Sequence, residues 1–215
     1  MQEIWLERWR EGRIGWHEVD GSALLKRYWP RLVRGSSVLV PFCGKSVDLL
    51  WLAAQGLDVV GVEISEIAVR AFFDEHDLGF ENTVAGKLQC YRALSAPVRL
   101  YCGDYFDFAG VELDDGGFQA LYDRGALVAL PESARPRYVT HTRSLLEADA
   151  YHMLLSLEYD QEAVEGPPFS VGPDEVRSYW PGLERAYSRN DIDTGSPKFR
   201  KAGLTEVIET VWTSV

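Results

Sequence analysis

The sequence predicts a doubly wound α/β domain, a mostly parallel sheet with helices on both faces, and three observations carry that expectation. From Ser36 onward, apolar runs of strand length alternate with segments of helical length. The first run ends in a turn with a single glycine that opens a helix, Pro41-Phe42-Cys43-Gly44-Lys45-Ser46. The second ends in a lone acid, Glu63. Right-handed crossovers stack such strand–helix pairs into one sheet, and its ligand is expected at the carboxyl ends of the strands, where strand order reverses.

In chain order, SSVLVPF (36–42) reads as a buried strand and SVDLLWLAAQG (46–56) as a helix with apolar Val47, Leu49, Leu50, Trp51 and Leu52, stopped by Gly56. DVVGVEI (58–64) is the second strand. The helix after it takes Ser65 as N-cap, an apolar face at Ile67, Ala68, Ala71 and Phe72, and Gly79 as its stop. Residues 98–106 form a third strand running into a loop, 118–123 a fourth, 131–147 a helix and 151–159 a fifth strand. The segment EGPPFSVGP (165–173) is too short for a domain linker and reads as a surface loop over the ligand end. No repeat or low-complexity tract interrupts the chain.

The whole length, residues 1–215, fits one domain; two would be cramped. With 46% hydrophobic residues the composition is globular, and 33 acids against 22 bases give a net charge of −11, a field that repels nucleic acid and anionic lipid. No run approaches the roughly 20 apolar residues that span a bilayer, and MQEIWLERWREG is too polar for a signal peptide, so a cytoplasmic protein is expected. Cys43, Cys90 and Cys102 lack CxxC spacing and the 4 His are scattered, a pattern of reduced thiols and of no metal site. Without a coiled-coil seam or an unpatterned apolar segment, the chain is expected to be a monomer.

The Gly44 turn lacks the glycine triad of the pyrophosphate fingerprint and the spacing of a P-loop. A ligand with an adenosine head and no phosphate tolerates this looser turn, and S-adenosylmethionine is such a ligand. Glu63, the one charge after an apolar strand, stands 19 residues after Gly44, where an acid grips ribose hydroxyls in nucleotide-binding α/β folds. Asp104, in YCGDYFD, is placed either for a hydrogen bond from an adenine amino group or as a turn or cap carboxylate. After the fourth strand comes Asp123-Arg124. Such charges are expensive to bury without partners, so the pair points into the cleft, Arg124 neutralising a carboxylate and Asp123 holding it, or else it is a structural ion pair. Trp5 and Trp9, at i and i+4, share one face of an N-terminal helix, as ordinary packing or as an aromatic lid over a sulfonium cation.

Four separated motifs together resemble the thiopurine S-methyltransferase family: W-x-x-x-W followed by IGWH, PFCGKSVDLLWLAAQGLDVVGVEISEIAVRAFF, LYDRGALVAL, and GPPF. The resemblance covers nearly the whole chain. It implies the seven-stranded, Rossmann-like sheet of class I methyltransferases, S-adenosyl-L-methionine as cofactor, and residues 1–30 as a helical lid over its site. It places Trp5, Trp9, Phe42, Glu63, Asp104, Tyr105 and Arg124 on cofactor-contacting positions, and Trp16 against the acceptor. It also implies a basic acceptor contact near the carboxyl end, which Lys198 or Arg200 fills. Two departures stand out: Phe42 replaces the family's usual Leu, and Trp16 its usual Phe. Both enlarge an aromatic wall of the acceptor pocket.

The activity this resemblance implies is methyl transfer to a thiopurine-like or other aromatic thiol, or to selenium or tellurium compounds. A tighter pocket would instead suit small anions such as halide, bisulfide or thiocyanate. The same type of sheet also serves nicotinamide-dependent oxidoreductases and nucleotide-binding modules, and the missing glycine triad weighs against these. Transfer from a sulfonium needs alignment of donor, methyl and acceptor more than a strong base. Arg124 and Asp123 are the expected catalytic residues, and Cys43 is expected to be inert packing.

Overall fold

Two short helices, α1 (Gln2–Arg10) and α2 (Ala23–Tyr28), precede β1 (Ser37–Pro41) in the computed structural model, which describes residues 2–110 and 116–214. In β1, Val38 and Val40 face one side of the sheet and Leu39 the other, and all three are buried. A side-chain period of two with cover on both faces produces this unbroken apolar run. There follow α3 (Asp48–Ala54), β2 (Asp58–Glu63), α4 (Glu66–Glu75), β3 (Phe80–Ala85), β4 (Leu88–Ala93), β5 (Val98–Cys102), β6 (Phe118–Asp123), α5 (Arg135–Leu145), β7 (Leu146–Glu158), α6 (Pro173–Tyr179), β8 (Leu183–Asn190), α7 (Pro197–Lys201) and β9 (Ile208–Ser214).

These strands form a nine-stranded sheet in the order β3-β4-β5-β2-β1-β6-β7-β9-β8. The central strands β5, β2, β1, β6 and β7 pair in parallel, while β9 runs antiparallel between β7 and β8. The β3–β4 hairpin is an antiparallel addition at one edge, outside the expected seven. Helices α2, α3 and α4 pack Leu25, Leu49, Leu52, Val69, Phe72 and Phe73 on one face. Helices α5 and α6 pack Tyr138, Val139, Leu145 and Val176 on the other, joined by Trp180 just after α6. The chain leaves β1 toward β2 and β5, then returns to lay β6 on β1's other side, so the carboxyl ends of β1 and β6 flank the switch point.

Several sequence expectations are corrected. Ser65 caps α4, its hydroxyl accepting from Ala68 N at 3.4 Å, but the buried stripe is Ala68, Val69, Phe72 and Phe73, and Ile67 is 49% exposed. The helix ends at Glu75, before Gly79. Asp77 takes the left-handed turn at φ 52°, Asp77 N reaches Asp74 O at 3.4 Å and Leu78 N reaches Phe73 O at 3.0 Å, the paired bonds of a Schellman closure. The expected third strand stops at Cys102, and a 3₁₀ turn occupies Tyr105–Asp107. The expected 131–147 helix gives way at Leu146 to β7, longer than anticipated. The β3–β4 hairpin, β8 and β9 were not anticipated; β3 is exposed along most of its length, so its apolar periodicity is faint. Only part of residues 1–30 approaches the ligand end, because α2 sinks Leu25 into the core. Among the described residues, no helix is long and apolar enough to cross a membrane.

On β7, His152 packs edge-on against Trp180, the residue that follows α6, ring centroids 4.7 Å apart. Burial, and then the charge of Arg143, lower its imidazole from 6.5 to about 4. The unfolded chain therefore takes up a proton that the folded chain refuses, and stability falls as pH drops from 6.5 toward 4. In His152→Gln this dependence should flatten: urea midpoints at pH 7 and pH 4.5 should lie closer together than in the unaltered protein, and an equal separation would remove His152 as a cause.

Candidate active site

A cavity of about 1450 Å³ opens at the carboxyl ends of the parallel strands. Drug-sized ligand pockets run to roughly 300–1,000 Å³, so this space takes a donor and an acceptor together. Its floor begins at the turn after β1, where Phe42 and Gly44 both have positive φ, 50° and 55°. Gly44 is required twice over: a Cβ there would stand 3.1 Å from the Trp9 ring, and the backbone is left-handed. Phe42 holds the rarer conformation for a bulky residue, wedged against Tyr105 and Tyr138 at 5.4 and 5.8 Å. Cys43 turns away into the core, where its Sγ is 2.6 Å from the position a Gly61 Cβ would take. Burial pushes its thiol well up, which makes it a poor nucleophile.

Glu63, 5% exposed, closes this turn onto the next. Its Oε2 accepts from Gly44 N and its Oε1 from Ser65 N, each at 2.9 Å. Burial raises its carboxyl, while the amides of Ser65, Gly44 and Ile64 pull the other way. Each oxygen keeps a lone pair for a ligand hydroxyl in the cavity that Glu63 lines. Asp104 lines the same wall and caps the 3₁₀ turn, accepting from Phe106 N at 3.0 Å. Tyr105 sends its hydroxyl into the core to Thr142 at 2.9 Å, away from the cavity that the residue lines.

The expected Asp123–Arg124 pair does not form, and Asp123 is corrected to a structural residue. It is fully buried and accepts from Ala126 N at 2.9 Å, Leu127 N at 3.2 Å and the Tyr138 hydroxyl at 2.7 Å. Consecutive residues at a strand end face opposite sides, which sends Arg124 into the cavity instead. There its Nη2 donates to Trp16 O at 3.1 Å and to Glu18. Arg124 thereby ties down the segment after α1.

That segment carries the tryptophans. Trp16 meets Trp5 and Trp9 edge-on at 5.1 and 5.9 Å. The guanidinium of Arg8 lies 5.0 Å from the Trp5 centroid and 5.9 Å from that of Trp16, so a cation of the chain itself already faces this cluster. Beyond Trp16, Asp48 accepts from Ser22 N at 2.7 Å and from the Tyr122 hydroxyl at 2.9 Å, a buried anchor for the far end of the same segment. On the opposite wall Lys198 donates to the carbonyls of Glu165 and Pro167 at 3.1 and 3.0 Å, fixing the GPPF loop, and Arg200 lies 3.7 Å from Asp193. Burial, then nearby Arg8, lower the Lys198 ammonium. Trp5, Trp9, Trp16, Phe42, Glu63, Asp104, Tyr105, Arg124, Lys198 and Arg200 thus share one cavity, and Asp123 alone of the expected set does not.

Sequence reasoning missed Glu18, Arg8, Asp48 and the pair Arg189 and Glu209. Asp48 carried a trace, being an acid in the first turn of an otherwise apolar helix. Glu209 had one too, as the charge in the alternating run IETVWTS.

Comparison with known proteins adds to this geometry. A family model described as thiopurine S-methyltransferase matches residues 1–214. A thiopurine S-methyltransferase of Bordetella petrii is 44% identical over 209 residues, 95% of this chain and 94% of that one. One from Pseudomonas putida is 42% identical over 212 residues, 97% and 96%. The solved 1,6-didemethyltoxoflavin-N1-methyltransferase of Burkholderia thailandensis superposes with a TM-score of 0.59 at 17% identity, covering 100% of this chain and 87% of that one; likeness at that identity is likeness of fold.

The placement of Asp123 predicts a loss of stability on its removal. Asp123→Ala strips the partner from two buried amides and one hydroxyl, and should lower unfolding free energy by about 2–4 kcal/mol. Folded Asp123→Ala protein at low temperature should keep its ligand affinity. A variant as stable as the unaltered protein but inactive would restore Asp123 to the reaction.

Proposed function

The chain belongs to the thiopurine S-methyltransferase family, and on that premise we propose that it methylates the sulfur of aromatic or heterocyclic thiols, with selenium and tellurium compounds as acceptors of related chemistry. It is an S-adenosylmethionine-dependent methyltransferase. The observation that carries the reading is the single cavity in which a buried carboxylate at the end of β2, an arginine beyond β6 and a wall of indoles converge.

The residues present fit the cofactor: Glu63 retains lone pairs for ribose hydroxyls, and Asp104 stands at the neighbouring strand end for an adenine amino group. Tyr105 and Phe42 give flat apolar surface, and Arg124 has donors left over from Trp16 O and Glu18 for a carboxylate. S-adenosylmethionine supplies a methyl group on a cationic sulfur. The protein's part is alignment and exclusion of water. Trp5, Trp9 and Trp16, on α1 and the segment after it, form the lid, and Arg124 holds that lid by the Trp16 carbonyl and Glu18. Trp16 is the acceptor-facing ring, and Lys198 with Arg200 supplies positive charge on the far wall. An aromatic thiolate is already nucleophilic, so no placed base is needed for it. The breadth of the cavity favours a ring-sized acceptor over halide or thiocyanate.

Three measurements test this. S-adenosylhomocysteine at 100 times its dissociation constant should stabilise the protein by about 2.7 kcal/mol, and NAD should not. Glu63→Ala should weaken S-adenosylhomocysteine binding at least tenfold, about 1.4 kcal/mol, and undiminished affinity would take Glu63 out of the site. With labelled methyl donor, a panel of thiophenols, thiopurines, halides and selenite should give transfer to the aromatic and heterocyclic thiols. Transfer to halide alone would replace this reading with the small-anion one.

A further inference from the structure

The far wall of the cavity carries a group the reaction described so far does not use. Arg189 of β8 and Glu209 of β9 are directly opposed across an antiparallel pair, on the sheet face that also carries Val211 and Leu155. Glu209 Oε2 accepts from Arg189 Nε at 2.8 Å and sits 2.7 Å from Nη2, which also lies 3.0 Å from Asp191. This fixes the carboxylate rigidly and occupies one oxygen only. Among the described residues no donor of the chain reaches Oε1, although the side chain is only 16% exposed and lines the cavity. That oxygen keeps its lone pairs for a donor that enters the cavity. One arginine shared by two carboxylates also leaves a negative charge over beside Oε1, which attracts an N–H.

Resting on the reading above, we propose that Glu209 selects the acceptor: its Oε1 accepts the ring N–H of a neutral heterocyclic thione and takes that proton as the sulfur is methylated. The thione sulfur uses a lone pair to form the new C–S bond, and the old C–S pair stays on the donor's sulfur. The N–H electrons stay on the ring nitrogen as the proton passes to Oε1. A sulfonium, a neutral thione and a carboxylate thus give a thioether, a neutral S-methyl heterocycle and a carboxylic acid, so charge balances. Burial raises the Glu209 carboxyl despite the lowering effect of Arg189, and the charges of Asp191 and Glu18 raise it further. A base with that bias accepts a proton more readily than an exposed Glu.

The test compares benzimidazole-2-thione, which has ring N–H groups, with its 1,3-dimethyl derivative, titrated calorimetrically into the protein saturated with S-adenosylhomocysteine. The unaltered protein should bind the N–H thione at least tenfold more tightly, and Glu209→Gln should bring that ratio close to one. A ratio unchanged in Glu209→Gln means discrimination by size and overturns the inference. A second measurement needs no variant: one pH unit above its free ionisation, the bound N–H thione should keep the ultraviolet spectrum of the neutral form. A thiolate spectrum there overturns the inference too. If S-adenosylhomocysteine binds but neither thione binds or is methylated, the thiol reading itself falls and takes this inference with it. If both are bound and methylated and only the Glu209→Gln outcome fails, the inference alone falls.

Discussion

The site is organised around one buried carboxylate. Glu63 accepts an amide from each of two strand-end turns, Gly44 after β1 and Ser65 before α4. Hydrogen bonds to an ionised acceptor are stronger than neutral ones, and in this desolvated place both are needed to keep the charge tolerable. The two turns at the switch point therefore hold one geometry, and much of the rest follows. Gly44 leaves room for the close approach of Trp9, Trp9 packs on Trp16, and Trp16 offers its carbonyl to Arg124.

The period of two in strands then sorts the charges. Asp123 and Arg124 are adjacent in sequence and go to opposite sides of the sheet end, one to brace the loop after β6 from within, the other to hold the segment after α1. Asp48 repeats the device from the start of α3, reaching Ser22 N and the Tyr122 hydroxyl. The N-terminal segment is thus tied at two points by charged groups whose remaining capacity faces the cavity or the core. Such ties set the distance between the tryptophans and the floor of the site, and methyl transfer depends on that alignment.

The strand and helix order from Ser36 to Glu158 is legible in the sequence because each central strand is buried on both faces and reads as a continuous apolar run. The edges are not. β3 and β8 are exposed along most of their length, β4 breaks its buried positions with exposed Gln89 and Arg92, and β9 buries only Thr210, Val211 and Trp212, so none carries a run long enough to stand out. The end of α4 is hidden in the sequence as well: Gly79 is the obvious stop, but Asp77 supplies the left-handed residue, and composition ranks Gly above Asp.

By itself the sequence determined the class of fold, the ligand end of the sheet, and the members of the site that sit at strand ends, because periodicity and turn chemistry are local. Glu63, Arg124 and the Trp5–Trp9 face follow from that local logic together with the family's motifs. Only the tertiary structure decided what each charge is paired with. That Glu63 spans two turns, that Glu18 and not Asp123 meets Arg124, and that Arg189 leaves one oxygen of Glu209 to the cavity are facts about elements distant in sequence and adjacent in space. Hydrogen-bond partners across such distances are set by register, crossover and side-chain direction, which no window of residues contains.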